Sequence, residues 1–228
     1  MKKHVFFAAL FITIILLSIR SFAQDSTLIK LDKHFALQFQ LGDNFKLTNF
    51  NGYTFSGKYH LSKFAIRVGA EVGSFNRQNN RTAFNADTLL SNNTFEYHSI
   101  NIRINLQGLY YLSVYKDIAA YVGGGPFFAF NKLNKAVFYN PNTLDKTTEK
   151  ENATEIGLTA LIGVEWFVKE NIGLSAEYGI DFSNFHSTSD SFSEQYNGEN
   201  TFKTFRNSEF KIFQVYANSA KLGIVIYF

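Results

Sequence analysis

The feature that most constrains this chain is an alternation. From Phe35 to the last residue, apolar side chains return at every second position in segment after segment, the pattern of strands whose two faces meet unlike surroundings. In the first segment Phe35, Leu37, Phe39 and Leu41 oppose Ala36, Gln38 and Gln40. In the second, Tyr53, Phe55, Tyr59 and Leu61 oppose Thr54, Ser56, Lys58 and His60. In the third, Phe64, Ile66, Val68, Ala70 and Val72 oppose Arg67, Gly69, Glu71 and Gly73. Five more segments repeat the pattern: Ile100 to Tyr110, Ile118 to Phe130, Ile156 to Trp166, Ile172 to Phe182 and Ala220 to Phe228. No charged residue falls on any of the eight apolar faces.

The connections alternate too. Ser62-Lys63, Ser113 to Asp117 and Lys169 to Asn171 read as tight turns, whereas Asp43 to Gly52, Asn76 to Thr94, Asn131 to Ala153 and Ser183 to Glu209 read as long polar loops. Short turns on one rim and long loops on the other describe an all-β, eight-stranded, antiparallel up-and-down transmembrane barrel, with both termini in the periplasm and the loops outside. Periodicity does not say which face points outward, since a soluble ligand-binding barrel would turn the same stripe inward. Three observations point the apolar face at lipid. The opposite face carries Arg67, Glu71, Arg103, Glu165, Glu177 and Lys221 among glycines, a polar filling suited to a narrow lumen where charges pair. Aromatic residues gather toward the two ends of the apolar face, with Tyr59, Tyr110 and Trp166 toward the turns and Tyr53, Phe55, Phe128, Tyr178 and Phe182 toward the loops. Two such girdles around an aliphatic belt mark the interfaces of a bilayer. Finally, Ile224, Ile226 and Phe228 close the chain on an amphipathic strand with a terminal Phe, which looks like the signal read by the outer-membrane assembly machinery.

Residues 1–23 place Lys2 and Lys3 before an apolar run from Val5 to Ile19 and then Ser21-Phe22-Ala23. This reads as a cleaved signal peptide, because the run falls short of the roughly 20 residues that a spanning helix needs. The barrel domain is then 24–228. Removing Lys2, Lys3 and Arg20 takes the net charge of +3 to zero, so the basic balance gives no argument for nucleic-acid binding. The chain has no cysteine, which excludes disulfides and thiolate metal sites.

Two stretches resemble the small outer-membrane β-barrel domain family that includes PorT-like proteins and OmpA-OmpX-type eight-stranded barrels. They are Tyr97 to Phe130, with Gly123-Gly124-Gly125-Pro126, and Ile156 to Phe185, with Gly163-Val164-Glu165-Trp166 and Leu174-Ser175-Ala176-Glu177-Tyr178-Gly179. The resemblance implies an integral Gram-negative outer-membrane barrel without catalytic residues and, for PorT-like members, a link to protein secretion.

The residues themselves offer little chemistry. Asp181, His186, Ser187, Ser189 and Asp190 form the best cluster for a lipid-modifying enzyme of the lipid A deacylase or acyltransferase type, but their spacing defines no shared site. Gly123-Gly124-Gly125 is followed by no helix start, which argues against phosphate cradling. His34, His60, His98 and His186 have no ligand spacing, so no metal and no cofactor is expected. A narrow pore is a further alternative, yet eight strands enclose a space about wide enough for side chains alone. The expectation is therefore a non-enzymatic barrel with a structural or interaction role. Its partners would be outer-membrane lipid, the assembly machinery and a protein or surface ligand at the loops 76–94, 131–153 and 183–209.

Overall fold

The computed structural model describes residues 34–42, 53–85, 88–115, 117–139, 145–197, 200–218 and 220–228. The expected signal peptide and the loop 43–52 lie outside the described residues. Nine strands follow in chain order: β1 (Phe35–Leu41), β2 (Tyr53–Leu61), β3 (Phe64–Asn85), β4 (Thr88–Tyr115), β5 (Ile118–Tyr139), β6 (Asp145–Lys169), β7 (Ile172–Asn197), β8 (Asn200–Ala217) and β9 (Lys221–Tyr227). Each pairs antiparallel with its neighbours, and β1 pairs with β9 from Ala36↔Tyr227 to Leu41↔Leu222. The sheet therefore closes into a barrel.

Nine strands occupy eight places around the ring. β7 pairs with β8 up to Ile180↔Ala217 and with β9 from Glu177↔Lys221. Between these two pairings β7 advances three positions and its partner four, so β8 and β9 are halves of one strand broken by a one-residue bulge. Asn218 fastens the break, donating its backbone N–H to Gly179 O at 2.8 Å and its side-chain amide to Asp181 Oδ1 at 2.9 Å.

Outward positions stay apolar and exposed over a band that includes Ile156 to Val168 on β6 and Ile172 to Phe182 on β7. A tilted strand of about 11 residues rises roughly 28 Å, enough to cross an outer membrane. Inward positions hold the buried set, among them Ala65, Leu109, Tyr111, Ala119, Tyr121, Val225 and Tyr227. Large side chains lie over glycines on the neighbouring strand. Tyr121 pairs with Gly163, and a Cβ there would overlap the ring. Pro126, which has no N–H to give, stands where the β4–β5 ladder skips from Asn105↔Phe127 to Gly108↔Gly124. At that gap a Cβ on Gly125 would collide with the carbonyl oxygen of Leu106.

The long polar stretches correct the sequence reading. Instead of loops, 76–94, 131–153 and 183–209 are mostly ladder: β3 and β4 pair out to Asn85↔Thr88, β5 and β6 to Tyr139↔Asp145, and β7 and β8 to Asn197↔Asn200. Both faces of these parts are largely polar, so no period-two hydropathy marks them. Ser113 to Tyr115 and Lys169 likewise belong to strands. Beyond Leu41 and Tyr53, the last described residues of β1 and β2 on that side to be paired, β3 to β8 continue as a six-stranded outer sheet. Among the described residues β8 is one of its two edges and pairs with β7.

Candidate functional site

The lumen is filled by charge pairs that cross it. Lys58 Nζ on β2 meets Glu165 Oε2 on β6 at 2.8 Å, with both side chains fully buried. Arg67 on β3 grips Glu177 on β7 through Nη1 and Nη2, and also donates to Gln107 Oε1 and Gln38 Oε1. Arg103 Nη1 on β4 meets Asp181 Oδ2 on β7 at 2.5 Å, and Lys221 Nζ on β9 meets Glu71 Oε2 on β3 at 2.5 Å. Each pair spans three or four places of the ring. Hydroxyls complete the shells of the anions: Tyr121 Oη donates to Glu177 at 2.5 Å, Thr159 Oγ1 to Asp181 at 2.6 Å, and Tyr111 Oη to Glu165 at 3.2 Å. Charges buried in low dielectric persist only when paired and hydrogen-bonded in this way. Amid these pairs lies a cavity of about 30 Å³.

All six lumen residues singled out from the sequence thus lie inward, and their partners are distributed unevenly. Arg67 with Glu177 and Glu71 with Lys221 pair among themselves, while Arg103 and Glu165 take Asp181 and Lys58. Both of those partners stand on the lumen parity of their strands, which was the available signal.

Of the aromatic residues, Phe55, Phe128, Trp166 and Phe182 stand exposed on the outer face. Tyr59 packs on Phe35 with centroids 4.6 Å apart, and Tyr110 packs on Phe64 at 4.9 Å. Tyr53 is buried, its ring stacked on Phe39 at 5.9 Å. Tyr178 pairs with Ile162, halfway along the lipid-facing run of β6, and so stands at mid-depth. Ile224, Ile226 and Phe228 are exposed on the lipid side of β9, and the Phe228 N–H donates to Phe35 O at 2.9 Å.

The best enzyme-like cluster is split across the wall of the barrel. Asp181 is committed to Arg103 in the lumen, and Ser187 and Ser189 face inward to Glu151 and Glu149. His186 faces outward to Glu209 at 2.9 Å, and Asp190 accepts from Asn207 at 2.6 Å. Lys211 Nζ, 2.6 Å from Glu209, holds that carboxyl below the usual range. Among the described residues no group of three metal-ligating side chains gathers.

The outer sheet is the other functional element. β8 is exposed on both faces from Asn200 to Phe213, and among the described residues one flank of its backbone is unpaired. Aromatic pairs stiffen the hairpin, with Phe192 against Phe205 at 4.8 Å outside and Phe185 against Phe210 at 6.5 Å inside.

A family model described as an outer membrane protein beta-barrel domain matches residues 9–216. No curated protein matches the chain. Among solved structures, it is similar to a major outer membrane protein from Thermus thermophilus, at 12% identity over 86% of this chain and 98% of that one, with a TM-score of 0.43. It is similar to CarO of Acinetobacter baumannii at 11% identity, over 86% and 98% of the two chains, with a TM-score of 0.44. Ail, the attachment invasion locus protein of Yersinia pestis, aligns at 14% identity over 86% and 94%, with a TM-score of 0.29. The family match is at the level of the barrel domain, coarser than the PorT-like resemblance.

Proposed function

The chain belongs to the outer membrane protein β-barrel domain family and resides in the outer membrane, and from that premise we propose that it is a non-catalytic surface barrel whose outer sheet captures an extended segment of another molecule along the free flank of β8. The observation that carries this reading is the edge itself. Among the described residues, the eighteen of Asn200–Ala217 are paired on one side only. An unpaired strand edge is a template for one more strand, because its N–H and C=O groups satisfy a partner's backbone while alternate side chains set preference. Lys203, Arg206 and Lys211 against Glu209 make the strand net basic, which favours segments that alternate apolar with acidic residues. The lysines also discourage indiscriminate edge-to-edge pairing.

A second copy in the same membrane does not suit this edge. β8 runs toward the membrane in every copy, so neighbouring barrels would bring two such strands together running the same way. Antiparallel addition needs a partner free to orient.

The test is selection of extended peptides against the purified barrel in detergent micelles. Selected peptides should lose binding when alternate peptide nitrogens are methylated, and should slow amide exchange within Asn200 to Phe213. Ligands indifferent to methylation, or protecting residues elsewhere, would overturn the reading.

A further inference from the structure

The charges of the β5–β6 hairpin are sorted by face. Past the lipid band, its described residues 131–139 and 145–155 carry Asp145, Glu149, Glu151 and Glu155, all at positions that point inward with the buried Ala153. Lys132, Lys146 and Lys150 stand at positions that point outward with the exposed Phe130 and Ile156. Of the cations in these residues only Lys135 faces inward, where it meets Glu149 at 3.5 Å. Successive side chains of a strand point to opposite faces, so Lys150 cannot turn to its chain neighbours Glu149 and Glu151. Those carboxylates accept from Ser189 and Ser187 on the inner side. The outer face of the hairpin is thereby basic, with no carboxylate among its described residues.

This basic face continues the lipid-facing wall. Phe128 and Phe130 end the apolar run of β5, and Lys132 is the next outward residue beyond them. Its rung reads Ile100 on β4, Lys132 on β5, Asn152 on β6 and Thr188 on β7, and the rung on the membrane side reads Ile102, Phe130, Thr154 and His186. Neither rung holds a carboxylate across those four strands. Lys150 is the diagonal neighbour of Lys132, roughly 7–8 Å away. It lies opposite Asn134 and Asp190, and Asp190 accepts from Asn207 at 2.6 Å without forming an ion pair with Lys150. Both lysines are exposed, and among the described residues neither has an ion-pair partner. Lys146, by contrast, lies over the Phe138 ring at 5.3 Å, and Lys203 and Lys211 are held by Glu194 and Glu209.

We propose that the outer face of β5 and β6 holds a phosphorylated lipid of the outer leaflet, its headgroup phosphate on Lys132 and Lys150 and its acyl chains on Phe128, Phe130 and Ile156. A lysine at the border of the lipid band lays its stem along apolar surface and carries its ammonium to headgroup depth, where clustered cations attract anionic lipid. Asn152 and Thr154 stand beside Lys132 as neutral donors, and a phosphate accepts from ammonium, amide and hydroxyl together. An acidic protein segment fits less well, because the apolar surface that adjoins the lysines faces the membrane. The inference rests on residence in the outer membrane and is independent of strand capture by β8.

The experiment is native mass spectrometry of the full-length barrel released from mixed micelles that contain diphosphorylated lipid A or the same lipid stripped of both phosphates. The barrel should retain one diphosphorylated lipid and shed the stripped form. Lys132→Gln with Lys150→Gln should cut the retained fraction by roughly tenfold, whereas Lys135→Gln, on the opposite face of the same hairpin, should leave it unchanged. Both variants should keep heat-dependent electrophoretic mobility. The comparison of the two lipids is made on the unmodified barrel and so decides the matter even where a variant does not fold. Equal retention of the two lipids, retention of neither, an unchanged double variant or an equal loss in Lys135→Gln would each overturn the proposal. So would displacement of the lipid by an equal concentration of inorganic phosphate, or lysine-dependent capture of poly-glutamate in its place.

Discussion

Arg67 is surrounded by Glu177, Gln107 and Gln38 and is 3% exposed. Removing one member of such a pair strands the other charge in a dry interior, at a cost of about 3–5 kcal/mol, whereas removing both together is far milder. Arg67→Met should therefore destabilise the barrel in lipid vesicles by that order, read as a lower urea midpoint, and Arg67→Met with Glu177→Leu should recover most of the loss. The chain's one tryptophan, Trp166, is exposed on the lipid face and reports the transition by its fluorescence. A single variant as stable as the parent would refute the pairing. At this scale the sequence was half legible. Alternation assigns Lys58, Arg67, Arg103, Glu165, Glu177 and Asp181 to the lumen, since parity is a local property of a strand. Which cation meets which anion depends on how the ring closes, and closure brings β2 opposite β6 and β3 opposite β7. Ladder register between distant strands leaves no trace in residue spacing.

At the scale of elements, the barrel wall and the outer sheet are separable. The closing contacts are β1 with β9 and β9 with Ile172 to Glu177 of β7, all below the bulge. Deleting residues 187–210 and joining the ends through an Asn-Gly turn should leave a barrel that still fractionates with the outer membrane and migrates faster unboiled than boiled. A shortened chain that never reaches the heat-modifiable form would show that the outer hairpin is needed for closure. The outer strands were the part of the fold that the sequence concealed. On β7, Ser187, Ser189, Ser191 and Ser193 line one face and His186, Thr188 and Asp190 the other. Two polar faces give no hydrophobic contrast, so the segment reads as a polar loop until its ladder is seen.

At the scale of the whole molecule, four cross-lumen pairs stack along the axis and close the interior from β2 to β9. Reconstituted in a planar bilayer, the protein should show no large, steady conductance, and a stable open channel of nanosiemens size would contradict the plugged lumen. The bulge between β8 and β9 also gives the molecule a mechanical character. A pull on β8 from outside runs down to a joint and not straight into the stave that closes the ring. Below the joint β9 is gripped on both flanks, and above it, among the described residues, β8 is gripped on one. Tension would peel the outer strand from β7 before it strained the membrane-embedded wall, as a tether gives way ahead of its anchor.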